Sequence, residues 1–182
     1  MGVIKDVPPA SLIAGITFSE SIDIMSVTGE LEEVFGSIEL RSPVFDFVMT
    51  DYYEKEMGPI LKKVFVSFNS MFDIAMLPDV KLKTNSIESF HAEISGDLIR
   101  RRVNIDPGYI TLSKLILAST KDYSHRVYIG KGIYAEYTLR FIQGEFRPCE
   151  TTYPDYQTQL SLGFFNDARA LLKEKIDSSR LK

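Results

Sequence analysis

The sequence predicts an α+β fold: an antiparallel or mixed sheet with helices on one face. Three observations carry the prediction. Short β-rich runs such as residues 12–18 (LIAGITF) and 62–68 (KKVFVSF) are bounded by turn residues. Two helix-period segments stand between such runs, giving the order strand, helix, strand, strand, helix, strand of a ferredoxin-like βαββαβ core. Two further strands around Gly130-Lys131-Gly132, and an apolar-striped C-terminal segment, add a hairpin and a last helix.

Residues 12–18 form the expected central strand. Ser19 or Ser21 caps a helix with Ile24, Val27, Leu31, Val34 and Phe35 on its apolar positions and Gly36 as its stop. Residues 37–47 read as a strand carrying Pro43, hence an edge or bulged one. Residues 50–58 are a polar loop with Asp51 and Glu56, and residues 62–68 are a strand. Residues 71–79 read as a connector. Asn85 and Glu88 then form a capping box for a helix bearing Ile87, Phe90, His91 and Ile94 and ending at Gly96.

Ile99, Val103 and Ile105 alternate with polar residues, which suits a half-buried strand interrupted at Arg101. Asp106-Pro107-Gly108-Tyr109 has the composition of a type II turn. Residues 110–119 are a buried strand with a bulge at Ser113-Lys114, or a short helix. The three-residue loop at 130–132 sets a register in which Arg126 faces Glu136 and Tyr128 faces Tyr134. His125, Val127 and Ile129 fall on the opposite side. Asp155 is placed to cap the last helix, whose stripe is Leu160, Phe164, Ala168, Leu171 and Ile176.

At 182 residues, with 45% hydrophobic and 25% charged content, the chain suits one globular domain. No apolar run reaches the roughly 18 residues of a membrane span. No signal segment is visible and Cys149 stands alone, so the expected compartment is the cytoplasm. A sequence pI near 5.3 argues against nucleic-acid binding. Charge is nevertheless segregated. Residues 98–147 hold nine Lys/Arg against four Asp/Glu, a local +5, while the rest holds twelve against twenty-one. That asymmetry points to an anion-facing site on an acidic protein.

Familiar signatures are absent: no GxxxxGK[ST] loop, no GxGxxG, no GxSxG elbow and too few cysteines for a cysteine-based zinc site. The remaining constellation is Asp106, Lys114, Lys121, His125, Arg126 and Glu136, with Tyr128 and Tyr134 nearby. Arg forks onto phosphate or carboxylate, Lys supplies a point charge, and His titrates near neutrality. The first function this supports is a binding or regulatory domain for a phosphorylated small molecule or nucleotide. The alternatives are a metal-assisted hydrolase or transferase using Asp51, Glu56, Asp106, His125 and Glu136, and an assembly protein whose Tyr and Phe residues form a homo-oligomer interface.

Six stretches, TDYYEKEMG (50–58), KTNSIE (83–88), VNIDPGY (103–109), KLILASTKDYSHRVYI (114–129), GIYAEYTL (132–139) and TYPDY (152–156), resemble the recurrent stretches of one prokaryotic family. It is known as domain of unknown function 4416. The resemblance spans residue 12 to about residue 169. It implies the GTP-binding label that members often carry, and it supplies no catalytic residue.

Overall fold

The computed structural model describes residues 2–4, 6–48, 54–95 and 98–180. A large antiparallel sheet organises the chain, and β1 (Ser11–Ser19), one of its interior strands, is buried at all nine positions. The apolar run 12–18 has no polar alternation because both of its faces are covered. α1 (Ile24–Phe35) follows, with β2 (Ile38–Arg41) and β3 (Phe45–Asp46) after it. Next come α2 (Glu54–Met57), β4 (Leu61–Met71), α3 (Leu77–Phe90), and the separate pair β5 (Glu93–Ser95) and β6 (Leu98–Arg100). β7 (Val103–Ile110), β8 (Lys114–Ser119), β9 (Arg126–Gly130), β10 (Ile133–Ile142), β11 (Glu145–Pro148) and α4 (Gln159–Arg180) complete the chain. The sheet order is β11-β10-β8-β7-β1-β4-β2, with β3 on β4 and β9 on β10.

Alternation along β1 sorts the core into two layers. Leu12, Ala14, Ile16 and Phe18 meet Val27 and Leu31 of α1 and Val80 and Ile87 of α3. Ile13, with Phe65 of β4 and Leu115 and Leu117 of β8, meets Phe164, Phe165, Ala168, Leu172 and Ile176 of α4. Thus α1 and α3 share one face, as expected, and α4 covers the other.

Several boundaries differ from expectation for identifiable reasons. Asp23, not Ser19 or Ser21, caps α1 by accepting from Met25 N at 3.0 Å. Pro43 splits the 37–47 strand into β2 and β3, both paired to β4. α3 begins at Leu77, with Pro78 in its first turn, so Asn85 and Glu88 lie inside the helix rather than at its start. It ends at Phe90, and His91 bonds Glu30 of α1 at 2.9 Å. Asp51 and Gly96 lie outside the described residues.

The largest correction concerns Asp106-Pro107-Gly108-Tyr109, which is the second half of β7 and no turn. β7 pairs with β1 along its whole length, from Ser11↔Ile110 to Phe18↔Val103. With β8 it pairs only from Gly108↔Leu117 to Ile110↔Leu115. Ile105 N–H points away from β1, so residue 107, two further on, faces the same way. There proline has no donor to offer. Gly108 allows the last close approach, since a Cβ on it would sit 2.2 Å from Ile116 O. Below that point β7 and β8 separate and the sheet opens. Thr111 to Lys114 is the reversal joining the two strands, with Thr111 N donating to Lys114 O at 2.9 Å.

Candidate functional site

The opening between β7 and β8 is a cleft of about 480 Å³. Its first wall comes from α3 and β7. The unpaired edge of β7 is satisfied by side chains: Ile105 N donates to Glu88 Oε1 at 2.8 Å, and Lys81 Nζ donates to Ile105 O at 2.7 Å. Lys81 and Glu88 are themselves 3.6 Å apart and both buried. Arg101 extends this wall, donating through Nη1 to Asn104 Oδ1 at 3.2 Å while its Nε and Nη2 take Glu56 of α2. Asn104 Nδ2 in turn donates to Asp106 Oδ2 at 2.9 Å.

The second wall is built on the hairpin. Arg126 and Glu136 pair across β9 and β10 as expected, and so do Tyr128 and Tyr134. The turn is shorter than the expected three residues: Gly130 pairs with Ile133, and an irregularity between Ile133 and Tyr134 restores the register. Every nitrogen of Arg126 is engaged. Nε donates to Glu136 Oε2 at 2.9 Å, Nη1 to Ser119 Oγ and Lys121 O, and Nη2 to Tyr153 Oη, with Glu136 Oε2 2.8 Å from Nη2. The guanidinium also lies over the Tyr123 ring, 4.5 Å from its centroid.

The floor joins β4 to the segment before α4. Lys63 Nζ donates to Asp155 Oδ2 at 2.6 Å, and both side chains are buried. The ammonium lies 4.8, 5.3 and 5.4 Å from the ring centroids of Tyr156, Phe47 and Phe65. Asp155 therefore belongs to an ion pair and does not cap α4. Thr158 accepts from Ser161 N at 3.1 Å at that helix start instead.

Burial shapes the protonation of this site. Desolvation pushes the Glu88 carboxyl above its ordinary value, against the opposing pull of Lys81 and the Ile105 N–H. Desolvation also raises the Tyr153 phenol, with Arg126 opposing. So many buried charges in one cleft are costly, and such clusters mark functional sites.

The expected site residues divide. Asp106, Lys121, Arg126 and Glu136 line the cleft together. His125 stands beside it, its Nε2 3.5 Å from Glu136 Oε2. It was expected on the opposite face, but β9 begins only at Arg126, so strand alternation does not extend to it. Lys114 lies at the far end of β8, opposite Arg140, and does not join them. Among the described residues no three His, Cys, Asp or Glu side chains converge as a metal site. Of the aromatic residues considered for an interface, Phe18, Phe65, Phe68, Phe146, Phe164 and Phe165 are core.

Sequence reasoning missed Lys63, Lys81, Glu88 and Asn104. A signal existed. Lys63 and Asn104 sit at strand positions whose alternation partners Phe65 and Asp106 face the α4 side, and Lys81 sits on the buried stripe of α3. A polar residue at a buried position of either period marks a site.

The family described as "Domain of unknown function (DUF4416)" matches residues 8–171. This chain belongs to it. No curated protein and no solved structure matches the chain. The family match spans the whole sheet and both cleft walls, up to the third quarter of α4. Among the described residues no helix of this family member is long and apolar enough to cross a membrane.

Proposed function

We propose that this protein is a binding or regulatory domain for a small phosphorylated molecule or nucleotide, held in the cleft between β7 and β8. The observation that carries the reading is convergence. Lys63 from β4, Lys81 from α3, Arg101 before β7 and Lys121 after β8 all line one cavity of about 480 Å³. That volume lies within the roughly 300–1,000 Å³ of small-molecule sites. Lysine supplies a point charge to phosphate without requiring a fork geometry. Lys63 and Lys81, each already paired with a carboxylate, line the cavity together with Lys121. Arg126, whose nitrogens are engaged by protein acceptors, acts as the scaffold of the hairpin wall. The lone Cys149 supports a reducing, cytoplasmic setting.

Thermal shift against phosphate esters and nucleotides tests the reading, with Lys121→Ala alongside. A ligand at about 100 times its Kd stabilises by roughly 2.7 kcal/mol. The expected result is a rise in Tm that Lys121→Ala reduces or loses. A rise that Lys121→Ala keeps in full would place the ligand elsewhere, and no rise with any phosphate would sink the reading.

A further inference from the structure

Glu136 is 1% exposed and lines the cleft. Its Oε2 takes Arg126 and lies 3.5 Å from His125, while its buried Oε1 has no hydrogen-bond partner among the described residues. A buried carboxylate oxygen without a donor is unfavourable, so it is a position where a ligand donor gains most. The charge of Glu136 is already balanced by Arg126. What remains at Oε1 is therefore a lone pair rather than an uncompensated charge, which suits a neutral hydroxyl better than an ammonium.

Charge across the cleft limits the other end of the ligand. Five cationic side chains line it against four acidic ones. Arg101 is balanced by Glu56 outside that lining, so the cleft comes close to neutral. A triphosphate carrying about four negative charges would leave most of them uncompensated in a partly desolvated site, at a larger cost than a single phosphate with about two.

From these two observations we infer that the ligand is a hydroxyl-bearing phosphate monoester, its one phosphate on the lysines and a hydroxyl donating to Glu136 Oε1. The inference rests on the phosphate-binding reading above and narrows it. Phosphosugars and nucleoside monophosphates belong to this class, and nucleoside triphosphates do not.

Calorimetric titration of the full chain tests this with ethyl phosphate, ribose 5-phosphate, the nucleoside monophosphates, the corresponding triphosphates and inorganic phosphate. A hydrogen bond to a charged acceptor corresponds to roughly tenfold or more in affinity. Ribose 5-phosphate or a nucleoside monophosphate is therefore expected to bind at least about tenfold tighter than ethyl phosphate, and the monophosphate tighter than its triphosphate. These two arms also separate a phosphosugar from a nucleotide as the source of the hydroxyl. Glu136→Gln is expected to shrink the hydroxyl advantage, since the charged acceptor is lost. Should that variant fail to fold, the ligand series on the unaltered protein still decides. Equal binding of ethyl phosphate and its hydroxylated counterparts, or tighter binding of triphosphates, would overturn the inference and leave the phosphate site standing. No binding by any probe, inorganic phosphate included, would overturn both.

Discussion

Lys63 and Asp155 form the pair on which the floor of the cleft rests. Lys63 stands in the run KKVFVSF, where the next odd-numbered side chain, Phe65, packs against α4. It is accommodated because Asp155 and three aromatic rings surround its ammonium. Removing one member of such a pair leaves an uncompensated buried charge, which costs about 3–5 kcal/mol. Lys63→Met and Asp155→Leu should each lower stability by that amount in urea denaturation. The double replacement should recover most of it, because two apolar groups need no partner. If both single losses simply added in the double, the pair would not be interacting.

At the scale of elements, the decisive feature is the half-paired β7. Glu88 and Lys81 of α3 occupy the hydrogen-bonding positions that a neighbouring strand would fill at Ile105. This arrangement keeps the sheet open and yet satisfied, and it has a pH signature. The Glu88 carboxyl is raised by burial, so the folded state holds its proton more tightly than the unfolded chain does. The stabilising contribution of that proton is present at low pH. It fades as pH rises from the ordinary glutamate value near 4.3 towards the raised one. Glu88→Gln cannot lose a proton. The stability of the unaltered protein relative to Glu88→Gln should therefore fall as pH climbs through that window, by at most about 1.4 kcal/mol per unit. Urea midpoints of both proteins at stepped pH measure it, and a flat difference would contradict the assignment.

At the scale of the whole molecule, the large sheet carries a core on each face, and α4 closes the second. Phe65 shows the dependence, since its ring meets Tyr156, Phe164 and Phe165 within 5.7 Å between centroids. Burying Phe164, Phe165, Leu172 and Ile176 contributes roughly 1.5–3 kcal/mol apiece. Together they rival the 5–15 kcal/mol that holds a typical domain folded. Ending the chain at residue 157 should therefore expose the α4 face of the sheet. The expected signs are dye binding to apolar surface and loss of near-ultraviolet circular dichroism, with much far-ultraviolet signal kept. A truncated chain with native near-ultraviolet signal would show that the α1–α3 core suffices.

How much was legible in the sequence follows from the range of the interactions involved. Strand β1, the stop of α1 at Gly36 and the Arg126–Glu136 register were readable because each follows from residues near in the chain: an apolar run, a glycine at a helix end, a short loop. Asp106, Lys121, Arg126 and Glu136 were gathered for the same local reason and do share one cleft. The rest depended on contacts between residues far apart. Asp106-Pro107-Gly108 has turn composition, yet eight residues of pairing with β1 hold it extended. Glu88 has the spacing of a capping box, yet it bonds Ile105, seventeen residues away. Lys63 reads as an ordinary strand lysine until Asp155, ninety-two residues on, is brought to it. Sequence by itself determined the α+β composition, the buried strand β1, the hairpin register and the clustering of basic residues, because local periodicity and turn chemistry set those. Only the tertiary structure decided where the sheet opens and which charges meet inside it, because burial and long-range pairing outweigh local preference there.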